Sequence, residues 1–316
     1  MATLRHSIHH YLDHALAPST QATYRAAWSS YLNFCRAHFI SPLPPSELKL
    51  AAYAAHLADR HITHNTIRVY LPGIVYHSQR LGHKIDLHAL PDLHYVLRGI
   101  RRVQGTSLSR PLRDPVTSQH MLAIRAYLAN VFSAHDACML WAALTSAFFG
   151  LLRASEYTSP SSSTSSPGTL LRSHVSFATD LSRATLLLPI SKTDQFGRGV
   201  NIALFALPSP LCPVSALWHF CRARRSSARP LFIFHNGHFL TRDWVVAVLR
   251  RTFPDEPNLN THSFRIGGAS ALAAAGTPDY VIQILGRWSS DSFLRYIRTP
   301  QFILRNAQLA MAPPHP

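Results

Sequence analysis

The chain has 316 residues, enough for two domains with a core each, and carries 31 Lys and Arg against 15 Asp and Glu, a formal charge of +16. That excess favours a polyanionic partner, nucleic acid ahead of an acidic metabolite. Glutamate occurs only as Glu47, Glu156 and Glu256, and no run gathers acids at the spacing of a two-metal site, which speaks against a metal-dependent nuclease.

Cys35, Cys138, Cys212 and Cys221 include no CxxC pair, as in a reduced intracellular protein. The histidine pairs His61/His64 and His235/His238 lack further ligands at familiar spacings, so no metal is expected. The N-terminus has Leu4, Ile8, Leu12 and Leu16 at helical spacing, broken by His and Asp, unlike the continuous apolar run of a secretory signal.

From Ser19 to about Val103 the pattern is helical. Starts are marked by Ser19-Thr20, by Ser46 before ELKLAAYAAHLADR and by Thr63 before HNTIRVYLPGIVYHSQRLG. Ile67, Leu71, Ile74 and Val75 repeat on one helical face. This predicts an all-helical domain over residues 1–106. The stretch QGTSLSRPLRDPVT mixes Gly, Ser, Pro and Arg and reads as a linker, with basic residues able to track a phosphate backbone.

A second domain, residues 107–316, opens with a helix near Ser118 to Phe132 and another near His135 to Leu152. The uncharged run Ala137 to Leu152 is too short for a membrane span and contains Thr145 and Ser146, so it is expected as a buried core helix. The run SPSSSTSSPG, Ser159 to Gly168, reads as a low-complexity loop. HVSFA, ATLLLPISK and GVNIALF then predict a small three-stranded sheet, with Lys192 close to a hairpin tip at Asp194 to Gly197.

Helices return near Pro213 to Arg224 and Thr241 to Arg251. In THSFRIGGASALAAAG, Gly276 is expected to close one helix, with Thr277 and Pro278 as N-cap and first residue of the next. Ser289 or Ser290 is expected to cap a further helix carrying Tyr296. The fold class expected is mainly α with a small antiparallel β-sheet.

The segments THSFRIGGASALAAAG and LGRWSSDSFLRYIR place His262, Arg265, Trp288 and Tyr296 within a short stretch. Cleaving a phosphodiester without metal needs a nucleophile, charge stabilisation and a proton for the leaving oxygen. A tyrosine suits the first, because its covalent phosphodiester preserves bond energy for rejoining. Arginines suit the second, because their fixed forks stay charged and bind two phosphate oxygens. A lysine suits the third as general acid. Taken singly, each residue also has an ordinary structural reading: a packed tryptophan, a core histidine, a solvated hairpin lysine, or an Arg153–Glu156 surface pair.

Together the residues resemble the tyrosine recombinase (phage integrase) family over nearly the whole chain. FGLLRASEYT looks like the first-arginine box, with Arg153 and the trailing acid Glu156. SKTDQFGRG looks like the β-hairpin lysine segment, with Lys192. HSFR supplies His262 and Arg265, and LGRWSSDSFLRYIR carries Trp288 and the nucleophile Tyr296. Trp288 and Tyr296 lie eight apart, one less than in many bacterial members. The tryptophan and the YIR ending most resemble integrases of eukaryotic Crypton- and DIRS-type mobile elements.

The resemblance implies a helical, SAM-like core-binding domain and a catalytic domain forming a clamp around double-stranded DNA. It also implies site-specific recombination or integration through a 3′-phosphotyrosyl link on Tyr296, and a homotetramer on paired sites. No cofactor, nucleotide or membrane is called for. The implied location is intracellular, and nuclear in a eukaryotic host. Two other readings stay open: a type IB topoisomerase acting on single sites, and a domesticated DNA-binding protein without turnover. The segment Thr299 to Met311, with Phe302, Ile303, Leu304 and Leu309, is expected either to dock on a neighbouring protomer or to pack on its own domain.

Overall fold

The computed structural model describes residues 2–105, 112–190, 198–222, 229–299 and 301–311. The chain divides into two compact units, Met1–Arg110 and Pro111–Pro316.

The first unit is helical: α1 (Ala2–His14), α2 (Pro18–Ala37), α3 (Glu47–Asp59), α4 (His64–Arg80) and α5 (Pro91–Gln104). Ser46 and Thr63 cap α3 and α4 as expected, their hydroxyls accepting from the Lys49 and Thr66 amides. The start of α2 differs from expectation. It begins at Pro18, with Ala17 as cap and no side-chain cap bond, because a proline in the first turn has its φ preset and lacks an N–H that would be unpaired there. The core gathers Tyr31, Phe34, Leu50, Tyr53, Ile67, Leu71, Ile74 and Leu93.

The second unit opens with α6 (Ser118–Val131), α7 (Ala134–Phe149) and the single turn α8 (Ala154–Tyr157). Strands β1 (Val175–Phe177), β2 (Arg183–Leu188) and β3 (Val200–Phe205) form an antiparallel sheet in the order β1-β2-β3, with Leu186 opposite both Val175 and Ile202. There follow α9 (Pro213–Arg222), α10 (Arg242–Thr252), α11 (Ser263–Ala274), α12 (Asp279–Gly286), a 3-10 turn (Asp291–Arg295) and α13 (Gln301–Met311). Lys192 and the expected hairpin tip at 194–197 lie outside the described residues. The fold class is therefore as expected, mainly helical with one small antiparallel sheet.

Helix α7 is the central core element. Met139, Leu140, Ala142, Ala143, Leu144 and Ala147 are buried on it, and its hydroxyls Thr145 and Ser146 are satisfied locally by carbonyls of Trp141 and Ala142. The Ser-rich segment has neither helix nor strand beyond a bridge from Ser159 to Thr241, and the Ser162 carbonyl accepts from the Phe239 amide. Helix α11 lies close to its neighbours: a Cβ on Gly267 would collide with the Val116 carbonyl, and one on Gly268 with the Phe148 carbonyl. These two glycines let α11 approach both the segment before α6 and the end of α7.

Two termini near the C-terminal end depart from expectation. Gly276, at φ +73°, closes α11 as expected, with Thr277 N–H donating to the Leu272 carbonyl and Gly276 N–H to Ala273. Pro278, however, is extended at φ −56°, ψ 142° and is itself the N-cap of α12, one residue later than expected. Ser290 does cap the next element, yet that element is a 3-10 turn ending at Arg295, and Tyr296 is its C-cap rather than a residue inside an α-helix.

Candidate active site

The expected residues of the second unit that are described, all but Lys192, converge where the ends of α7, α11 and α12 meet. Chain reversal after α7 passes through Leu151, at φ +46°, and presents Arg153 as the cap of α8. One turn on, Glu156 is nearly fully buried and answers it: Oε2 accepts from the Arg153 amide at 2.8 Å and Oε1 from its guanidinium at 2.9 Å. The surface ion pair that the sequence allowed is thus a part-buried one, with side chains 17% and 3% exposed.

His262 is the N-cap of α11, and Arg265 falls in the first helical turn, so both project from one helix end. Arg265 is wholly buried. Its guanidinium donates to the Leu151 carbonyl and, at 2.6 Å, to the Gly286 carbonyl. It also lies 4.1 Å from the centre of the Trp288 ring and 5.6 Å from that of Tyr296, close enough for cation–π attraction.

Trp288 reaches this position because Gly286 has no side chain: a Cβ there would stand inside the indole ring. Tyr296 closes the group, its ring 5.0 Å from both His262 and Trp288. Its backbone is pinned to α11 through Ser270, whose hydroxyl donates to the Tyr296 carbonyl and accepts from the Arg298 amide. Trp288 and Phe293, with Leu151, Ala269 and Ile282, form the apolar floor.

The electrostatics are lopsided. Arg153, Arg265 and Arg287 surround one carboxylate, Glu156. Burial, then the charges of Arg153 and Arg287, pulls the Arg265 pKa below its ordinary value. Burial and the charges of Arg113, Arg265, Arg153 and Arg242 push His262 down to about 4, so its imidazole is neutral at pH 7. Such a cluster suits a bound anion, which would offset the excess positive charge and raise the basicity of the neutral imidazole beside the Tyr296 ring.

The structure brings together Arg153, Glu156, His262, Arg265, Trp288 and Tyr296. Ser270 and Arg287 join this group without an expected role. Nothing distinguishes Ser270 within SALAAAG beyond being a hydroxyl in an apolar run. Arg287 did carry a signal: it stands nine residues before Tyr296, the spacing that Trp288 misses by one.

No protein-family model and no curated protein matches the chain. Solved structures do. One is the XerH site-specific recombinase bound to a palindromic difH substrate in a post-cleavage complex, at TM-score 0.63 and 16% identity, covering 91% of this chain and 78% of that one. A second is a lambda integrase dimer bound to a COC′ core site, at 0.52 and 13%, covering 92% and 77%. A third is the Tn1549 transposon integrase in complex with circular intermediate DNA, at 0.51 and 14%, covering 85% and 86%. At these identities the likeness shows the fold, which is that of tyrosine recombinases.

Proposed function

We propose that the chain is a DNA strand transferase of the tyrosine recombinase type, acting without metal or nucleotide cofactor. The observation that carries this reading is the placement of the Tyr296 phenol between neutral His262 and Trp288, beside the buried Arg265 guanidinium. Tyr296 loses its proton to His262 and attacks the scissile phosphorus, forming a 3′-phosphotyrosyl bond as the bond to the 5′-oxygen breaks. Arg153, Arg265, His262 and Trp288 stabilise the transition-state charge, while Glu156 orients Arg153. Lys192 supplies the proton that the departing 5′-oxygen takes up. The phosphate offsets the arginine charges that hold the His262 pKa down, making the imidazole a better base once DNA is bound.

Both units would contact double-stranded DNA, residues 1–106 as a core-binding domain, and affinity should fall steeply with salt as bound cations are released. Recombination or integration then needs a homotetramer on paired sites. Helix α13 is a candidate contact: Leu304, Leu309 and Met311 on it are exposed. Its Ile303 borders a recess with Ala273, Leu294 and Ile297 of the same unit. The Crypton- or DIRS-like ending of the tyrosine segment suggests a mobile-element origin.

The test is covalent trapping on nicked duplexes carrying the DNA that flanks this chain's gene, in the absence of metal, for the unaltered chain and Tyr296→Phe. A protein–DNA band on a denaturing gel that requires Tyr296 is expected. Salt-sensitive binding with no adduct would favour a DNA-binding protein without turnover. Relaxation of supercoiled plasmid by monomers, independent of site, would favour a topoisomerase.

A further inference from the structure

Arg287 closes α12 and turns its side chain back under the arginine cluster. It adopts the left-handed conformation, φ +58° and ψ 42°, uncommon for any residue with a side chain. Its side chain is 9% exposed, and its guanidinium ends on three protein acceptors. Nη2 donates to Glu156 Oε2 at 2.8 Å and to the Leu151 carbonyl at 3.3 Å, and Nη1 to the Gly150 carbonyl at 3.2 Å.

Two of these acceptors are shared. Glu156 also holds Arg153, and the Leu151 carbonyl also receives Arg265. One guanidinium therefore touches the support of both arginines assigned to the phosphate, at the cost of placing a third buried cation beside a single carboxylate. An apolar side chain of similar length would fill the same volume without that penalty. Lysine, a point charge without a fork, would serve these acceptors less well in this geometry.

We infer that Arg287 is a positioning residue for DNA cleavage: by fixing Glu156 and the Leu151 carbonyl together, it sets the Arg153 and Arg265 guanidinium groups to receive the scissile phosphate. This inference rests on the strand-transfer reading above. Arg287 shares Glu156 with Arg153 and the Leu151 carbonyl with Arg265, so it acts through the other two arginines.

The discriminating measurement compares single-turnover adduct formation on two nicked duplexes of the gene's flanking DNA. One has an ordinary phosphate at the cleaved position, mapped first with the unaltered chain, and the other a neutral methylphosphonate there. Arg287→Met is expected to slow adduct formation by about 100-fold on the phosphate, the scale of losing preorganised charge stabilisation. On the methylphosphonate, which has no charge for the arginines to receive, the same variant should fall within about threefold of the unaltered chain.

Both rates come from one preparation, so a reduced folded fraction cancels in their ratio. Arg287→Lys should give the same substrate-dependent pattern with a smaller loss. An equal penalty on both duplexes overturns the positioning role while leaving strand transfer intact. Absence of any Tyr296-dependent adduct from the unaltered chain overturns strand transfer, and this inference with it.

Discussion

Two buried polar clusters in this chain are built on opposite terms. In the first unit, Tyr31 and Tyr53 are fully buried with rings 5.4 Å apart, edge to face. Their hydroxyls donate to neutral oxygens, Tyr53 to Ser30 Oγ at 2.8 Å and Tyr31 to the Pro42 carbonyl at 3.2 Å. Burial raises both phenol pKa values, that of Tyr53 to about 12, so the cluster stays uncharged. In the second unit, three guanidinium groups crowd one carboxylate, and the Nε atoms of Arg265 and Arg287 are buried without a hydrogen-bond partner among the described residues. Polar burial that closes on itself is core. Polar burial left with surplus charge and surplus donors is poised for something that arrives from outside.

The largest effect should come from removing the one group that moderates the charged cluster. Glu156→Gln leaves the buried arginines facing a neutral amide, and breaking a buried pair this way costs about 3 kcal/mol or more. Chemical denaturation should show that loss, and adduct formation on the nicked duplexes should fall with it. An unfolding free energy equal to that of the unaltered chain would mean the arginines do not depend on Glu156, and the contrast between the clusters would collapse.

A smaller effect is expected on the neutral side. Tyr53→Phe removes one hydrogen bond between uncharged groups, with a net cost of about 1 kcal/mol. Trapping by the folded protein should be unchanged. A loss as large as that of Glu156→Gln would show that the aromatic cluster carries more than packing and one bond.

The same contrast explains what the sequence could and could not reveal. The neutral core is legible because periodicity reports it: Ile67, Leu71 and Ile74 recur at helical spacing and are all buried. Caps at Ser46 and Thr63 are local signals, read within four residues. The candidate site was legible only as a set of residue types, since His262, Arg265, Trp288 and Tyr296 sit close in sequence. Of its support only Glu156 was legible, as the acid trailing Arg153. The Arg287–Glu156 pair joins residues 131 apart, and the shared Leu151 carbonyl belongs to a residue that looks merely apolar. The end of α12 shows the same limit. Arg287 closes that helix in the left-handed conformation with its amide turned back to the Gln283 and Ile284 carbonyls, but the tertiary bonds of its side chain are ones that no local pattern encodes. Tyr296 likewise reads as helical by its neighbours but closes a 3-10 turn, because Ser270 fixes its backbone from another element.

The smallest effect is expected in the titration of His262, which feels the surplus charge directly. Its pKa is held near 4 by burial and by Arg113, Arg265, Arg153 and Arg242, against an ordinary value of 6.5. Between those two pH values the unfolded chain binds more protons at this site than the folded one. Stability must therefore fall as pH drops from 6.5 toward 4, with no contribution from this group above that window. His262→Gln lacks the slope, so its unfolding free energy relative to the unaltered chain should rise steadily as pH drops across the window and be flat from pH 7 to 8. DNA supplies negative charge that opposes the arginines, which raises the His262 pKa and makes binding near pH 5.5 take up protons. Calorimetry in buffers of different ionisation enthalpy would register that uptake, and His262→Gln should lack it. Equal slopes and equal uptake in the two proteins would mean that the arginine charge is already neutralised within the fold, leaving nothing for a phosphate to complete.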